Sequence, residues 1–242
     1  MLSVPLSRAQ AALAQPLPAD PSRFQLHADG SPQRSAIEQF VAAAYHDAYG
    51  AELSHFLPLL LEMRAEADTQ AVLGMRPGAM GVPMFLEHYL DQPVEQIIAG
   101  RVGAPVARSG IVEIGNLASV RRGASPLLFL ITAAALESAG YRWLAFTATP
   151  QVEKLVTRLQ YQPLTLGGVD PARLGDEITH WGSYYETRPK VMCVPLAEAL
   201  LAARQSTTIE TTLNSHAGII HALAQRLREY RQHHALFERG AA

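Results

Sequence analysis

The sequence predicts an α/β (α+β) domain built on a mixed sheet, and three observations predict it. Apolar runs of strand length alternate with segments of helical period. The order strand, loop, helix, strand from Ile111 to Thr147 requires a right-handed crossover, which sets two parallel strands side by side. A chain of 242 residues, 48% hydrophobic and 17% charged, suffices for one large core or for one domain with an appendage.

Residues 1–22 carry Pro5, Pro16, Pro18 and Pro21 among small residues and read as a loosely ordered arm. Phe24 to Ala28 alternates apolar and polar residues as a short strand does, and Asp29-Gly30-Ser31-Pro32 turns the chain. Ile37, Phe40, Val41 and Ala44 follow at helical spacing, with Ser35 and Glu38 placed to form a capping box. Leu57–Met63 and Gln70–Met75 read as two strands around a turn at Arg64–Asp68, followed by a flexible loop at Pro77–Gly81. Phe85–Asp91 makes a short helix before Pro93, and Val94–Ala99 continues as another. Strand Ile111–Ala118, helix Pro126–Ser138 and strand Trp143–Thr147 form the crossover unit. Val152, Leu155, Val156 and Leu159 mark an amphipathic helix, Gly167 to Gly175 a loop, and Lys190–Leu196 a late strand. Beyond it the chain is helical, and Ile209, Leu213, Ile220, Leu223 and Leu227 form one stripe that packs on its own domain or on a second copy.

Composition excludes several classes. A net charge of −2 gives no general attraction to nucleic acid or to an anionic membrane. Cys193 is the single cysteine, so neither an intrachain disulfide nor a cysteine-based zinc site forms, and its apolar neighbours read as burial of an inert thiol. The histidines show no H-E-x-x-H spacing, and His233-His234 lie in a polar tail, so no metal is expected. The N-terminus around Ala12-Leu13-Ala14 lacks a positive start and an unbroken apolar stretch, and Arg8 interrupts it, which argues against an export signal. The longest apolar run, Leu127–Leu136, is about half of the ~20 residues that span a bilayer. A cytoplasmic enzyme-sized domain is expected.

Chemistry concentrates between Ile111 and Pro126. A buried strand runs out into Leu117, Ala118, Ser119 and Val120, then Arg121, Arg122, Gly123, Ala124 and Ser125, and enters a helix at Pro126. Proline suits the first helical turn, and the unpaired N–H groups of that turn together with the helix dipole form an anion site. The glycine admits a ligand close to the backbone, and the arginines match phosphate. A plain βα turn with solvated arginines is the competing account. No G-x-G-x-x-G or G-x-x-x-x-G-K-[ST] motif is present, which removes dinucleotide folds and P-loop triphosphatases.

With Gln160-Tyr161 closing the following helix, this order of elements resembles the GNAT acyltransferases. The resemblance implies a mostly antiparallel central sheet with one splayed parallel pair, helices on both faces, and a C-terminal helical extension. It further implies that the free edge of the strand ending at Ala118 binds a pantetheine arm and the loop N–H groups its pyrophosphate. Arg122-Gly123-Ala124-Ser125 keeps the basic and small character of the family's loop without its full register. The family's helix tyrosine has no counterpart near Val156. Phe85 to Leu90, Val112 to Ala118 and Trp181-Gly182-Ser183-Tyr184-Tyr185 resemble the thermostable haemolysin family, whose sequences are similar to GNAT-like autoinducer (acyl-homoserine-lactone) synthases. The implied organisation is an arm over 1–22, an acyltransferase domain over 23–197 and a helical extension over 198–242.

Acyl transfer needs an amine without its proton, a stabilised oxyanion and a proton for the leaving thiolate. Glu113, a carboxylate in an apolar strand, is the expected base, with a buried acid paired to an arginine as the alternative. Asn116 suits orientation, although strand alternation sets it opposite Glu113 unless a bulge intervenes. Tyr184 or Tyr185 supplies the proton, or else belongs with His180 and Trp181 to an amphipathic lid. Glu87, His88, His180 and Trp181 are candidates for the acceptor. The implied donor is a coenzyme A thioester or an acyl-phosphopantetheine on an acyl carrier protein, and the implied partner is a small amine. The rival classes are a membrane-active haemolysin acting through its C-terminal helix, with Arg226, Arg228 and Arg231 near the end, and a non-catalytic CoA-binding module. A homodimer through that helix is a further expectation.

Overall fold

A computed structural model describes residues 23–121 and 123–240, with side chains as far as Gln232. The expected arm over residues 1–22, Arg122, and the side chains of His233 and His234 lie outside the described residues. Seven strands, β1 (Phe24–His27), β2 (Leu59–Ala65), β3 (Asp68–Pro77), β4 (Ile111–Ser119), β5 (Trp143–Ala148), β6 (Leu164–Gly168) and β7 (Lys190–Pro195), form one sheet in the order β1-β2-β3-β4-β5-β7-β6. Every neighbouring pair is antiparallel except β4–β5, the parallel pair that the crossover requires.

Helices cover both faces. On one face α3 (Ala124–Ser138) lies over Leu61, Leu73, Ile114 and Phe146, and α5 (Leu196–Ala203), α6 (Thr207–Ser215) and α7 (Ala217–Gly240) pack beyond it in the same apolar cluster. A helix enclosed on all sides is apolar all round, which explains the run Leu127–Leu136 without a bilayer. Thr132, buried there, keeps its hydroxyl satisfied on the Leu128 carbonyl at 2.7 Å. On the other face α1 (Arg34–Tyr49) covers Leu60 and Val72, while residues 84–98, including the start of α2 (Val94–Val102), cover Ile111, Ala145 and Cys193. The amphipathic helix is α4 (Pro150–Arg158), capped by the Thr149 hydroxyl.

Three expectations are corrected, and one left open is decided. Helix α1 begins at Arg34 with no side-chain cap, so Ser35 does not initiate it. Glu38 instead accepts from Arg34 Nε at 2.8 Å, because that guanidinium is fixed in place by donating to the Leu57 and Pro58 carbonyls. Helix α3 starts two residues before Pro126, which is therefore third in the first turn. Gly167 and Gly168 belong to edge strand β6, where pairing with β7 supplies what glycine's low strand propensity withholds. The tail stripe packs on its own domain: Ile209, Leu213, Leu223 and Leu227 are buried and Ile220 is partly so, in the cluster that includes α3. No described helix is long and apolar enough to cross a membrane.

Candidate active site

The site begins where β4 and β5 part. Their parallel register runs from Ile111–Trp143 to Ile114–Phe146 and stops, although β4 continues to Ser119 and β5 to Ala148. Beyond that point β4 keeps only its β3 neighbour and β5 only β7, so each presents a free edge to the gap. A cleft of about 400 Å³ fills it. Gly115, Leu117, Ala118 and Ser119 of β4 form one wall, Thr149, Gln151 and Val152 at the start of α4 another, with Phe129 and Phe146 between them and Ala44, Ala48 and Tyr49 of α1 across the opening.

A bulge in β4 joins this cleft to a second cavity. Gly74 pairs with Gly115 and Val72 with Ala118, so Asn116 and Leu117 together stand opposite Leu73. Asn116 absorbs the extra residue at φ 48°, a left-handed conformation that asparagine tolerates better than most side chains. Its Oδ1 accepts the Leu57 N–H at 2.8 Å. The approach is close: a Cβ on Gly74 would stand 2.8 Å from that Oδ1, which is why glycine occupies the position. The bulge reverses the alternation, and Glu113 and Asn116 wall one cavity of about 80 Å³ with Tyr45, Phe85, Trp181 and Tyr184. Tyr45, Thr147 and Tyr184 wall both spaces and mark their junction.

Glu113 is 4% exposed. Its two oxygens accept the main-chain N–H groups of Phe85 and Leu86 at 2.9 and 2.8 Å, so it holds the start of the 3₁₀ helix Phe85–Tyr89. Burial raises its pKa, and the two N–H groups together with the Arg76 guanidinium, on its cross-strand partner, offset this only in part. The arginine pairing considered from sequence is replaced by these two backbone donors. Burial also pushes the Tyr45 and Tyr184 hydroxyls upward, which keeps both protonated at neutral pH.

The aromatic cluster forms as its composition suggests, and only part of it faces the cavity. Tyr184 stacks on Tyr45 with ring centroids 6.3 Å apart and meets Trp181 at 5.2 Å. Tyr185 stands behind it, its hydroxyl 2.6 Å from that of Tyr89 and its pKa pushed up to about 12 by burial. His180 is exposed and walls an outer cavity with Trp181.

Two expected acceptor residues lie elsewhere. Glu87 makes a two-pronged ion pair with Arg108, both contacts 2.7 Å, and also accepts the N–H groups of Met84 and Val94. Burial opposes its ionisation, but Arg108 and those N–H groups prevail and hold its pKa at about 2. A carboxylate so engaged is a clamp, and it walls a separate cleft. His88 is exposed, with Nδ1 on the Phe85 carbonyl at 2.8 Å.

The expected cofactor loop divides similarly. Leu117, Ala118 and Ser119 wall the cleft; Val120, Arg121, Gly123, Ala124 and Ser125 do not. The Val120 N–H is spent on the Gln70 carbonyl and that of Ala124 on Arg121. Gly123, before the first turn of α3, stands at φ 85°, and Ser125 bonds the Ser119 hydroxyl at 2.7 Å. Arg121 is exposed. Sequence reasoning missed Tyr45, which continues the apolar stripe of α1, and Thr147, one residue from the end of β5; the strand end, where open sheets place ligands, was the available signal for the latter.

Among the described residues no three His, Cys, Asp or Glu side chains cluster as metal ligands do. The sequence profile of the thermostable hemolysin family matches residues 27–200. No curated protein sequence matches the chain significantly. Among solved structures, the CoA-dependent acyl-homoserine lactone synthase BjaI, solved with SAM and isopentyl-CoA, is 10% identical with a TM-score of 0.51, the match covering 81% of this chain and 89% of that one. The CoA-dependent acyl-homoserine lactone synthase MesI is 14% identical with a TM-score of 0.47, covering 81% and 95%. FeeM, an N-acyl amino acid synthase from uncultured soil microbes, is 11% identical with a TM-score of 0.48, covering 74% and 96%. At these identities the BjaI match speaks for the fold.

Proposed function

The chain belongs to the thermostable hemolysin family, and we propose that it is an N-acyltransferase that moves an acyl group from a thioester to an amine by direct attack. The observation that carries this is the end of β4–β5 pairing at Ile114–Phe146, with a cleft on one side of the junction and the Glu113 cavity on the other. A pantetheine arm is an extended amide chain, and the unpaired edge of β4 offers it strand-like partners. The donor is acyl-CoA or an acyl carrier protein. In the former case the exposed Arg121 and the Ser125 N–H in the first turn of α3 would meet the diphosphate.

In this reading the amine enters the aromatic cavity and attacks the thioester carbon at the junction. Glu113 takes the amine's proton, its raised pKa bringing it nearer to that task. The C–S bond breaks, and the Tyr184 hydroxyl gives its proton to the leaving thiolate as the proton taken by Glu113 passes across their shared cavity to Tyr184, which returns both residues to their starting states. Asn116 sets the bulge that turns the two walls toward each other. We assign this chemistry to residues 23–197, in the cytoplasm where acyl thioesters are common donors, and give 198–242 a stabilising role. The membrane-active alternative loses support because the apolar stripe of the tail is packed against the domain.

The test is thiol release from acyl-CoA and acyl carrier protein thioesters, with and without amines. Amine-dependent release by the native chain, lost in Gly123→Glu, is expected: that substitution strains a backbone at φ 85° and brings a carboxylate to the loop. A chain that neither binds nor consumes any acyl thioester ends the proposal, and one that binds without turnover is the non-catalytic module.

A further inference from the structure

Two cavities adjoin on the α1 face, and their charges differ. The inner one, of about 80 Å³, carries the Glu113 carboxylate and the Arg76 guanidinium, so it is close to balanced. The outer one, of about 220 Å³, has Glu52 and Glu177 on its walls and neither lysine nor arginine. His55, Phe85 and Trp181 wall both. The Phe85 and Trp181 rings, 5.6 Å apart and tilted by 36°, form the threshold between the two compartments.

We infer that the acceptor is a diamine: one amino group enters the inner cavity for acylation while a second, protonated amine sits in the outer cavity between Glu52 and Glu177. This rests on the acyltransferase reading and adds the acceptor's class to it. Volume favours it, since the inner cavity admits an amine and a few methylenes, leaving the rest of the acceptor to the outer one. The aromatic threshold favours it because ring faces attract cations within about 6 Å and accept methylenes equally well. Charge favours it because a carboxylate-bearing acceptor such as an amino acid would seat its anion beside two others. Both glutamates are exposed, so their two ion pairs together favour a second ammonium by roughly two- to thirtyfold.

The experiment compares 1,4-diaminobutane, butylamine and norleucine on the full chain, by calorimetric titration and by kcat/KM for thiol release. The expected order is diamine over monoamine by about tenfold, with norleucine poorest, and a preference that shrinks in high salt. Glu52→Gln with Glu177→Gln should bring the diamine-to-monoamine ratio close to one, whereas Glu198→Gln, on α5, should leave that ratio unchanged. Thiol release in which norleucine equals or exceeds the diamine overturns this inference and leaves the acyltransferase standing. Selective diamine binding, lost in the double variant, with no thiol release from any donor supports the site and overturns the acyltransferase. Equal binding of diamine and monoamine overturns the inference directly.

Discussion

Asn116 and Glu113 stand three positions apart in β4 and wall the same cavity, because Asn116 takes a left-handed backbone and shifts the alternation by one. In a regular strand residues three apart point to opposite faces. The bulge that corrects this sits where β4 loses its β5 neighbour, so one irregularity opens the gap's edge and aims the polar residue into the adjoining cavity.

Gly74→Ala tests the bulge directly. The added Cβ would lie 2.8 Å from Asn116 Oδ1 and 3.1 Å from Leu57 Cβ, and relieving that contact disturbs the Asn116–Leu57 hydrogen bond. A loss of about 1–3 kcal/mol is expected from overpacking, measured by urea denaturation. Asn116→Gly removes the side chain in the way and suits φ 48°, so the double variant should lose less than the sum of the two. Strict additivity would show that the two residues do not interact.

Glu113 gives stability a pH dependence of defined sign. Its folded pKa is raised above the ordinary 4.5, so the folded state holds the proton more tightly than the unfolded one. The stability it contributes is complete below about pH 4.5 and is lost as pH rises through the folded value. Glu113→Gln should flatten that slope. It should also destabilise the protein by about 1–3 kcal/mol, since one backbone donor, of Phe85 or Leu86, would face an amide NH₂ instead of an oxygen. Lost activity in this variant therefore does not by itself identify a base. A kcat/KM that rises with pH in the native chain and loses that limb in Glu113→Gln does.

The Glu87–Arg108 clamp carries the opposite sign. With its folded pKa near 2, Glu87 contributes stability that is present above 4.5 and disappears as pH falls toward 2. Glu87→Gln should cost about 2–4 kcal/mol, more than Arg108→Gln, because Glu87 also receives the Met84 and Val94 N–H groups. Acid titrations of both variants, followed by circular dichroism, check the order.

The tail is part of the core. Leu223, 5% exposed in the cluster with α3, should cost about 2–5 kcal/mol as Leu223→Ala, whereas exposed Leu201 should cost under about 1 kcal/mol. Equal, small effects on thermal unfolding would mean that α7 is not packed as described. Removal of residues 206–242 would expose this cluster, so a truncated chain is a poor probe of membrane action.

Local pattern was sufficient for much of this molecule. The crossover from Ile111 to Thr147 follows from period and from the handedness of βα connections, and a carboxylate inside the run Val112–Ile114 declares a buried acid wherever the strand sits. The aromatic run at Trp181–Tyr185 likewise announces a cluster before its partners are known. What period cannot encode is which groups a side chain meets across long separations. Asn116 reaches Leu57, Glu113 reaches Phe85 and Leu86, and Glu87 takes Arg108, each 21 to 59 positions away. Those contacts decided that Glu87 is a clamp, that Tyr45 and Thr147 stand at the junction, and that Asn116 shares a cavity with Glu113. Side-chain alternation is a property of the neighbouring peptide units, whereas a bulge, a bidentate ion pair and a shared cavity exist only once distant segments exclude water together.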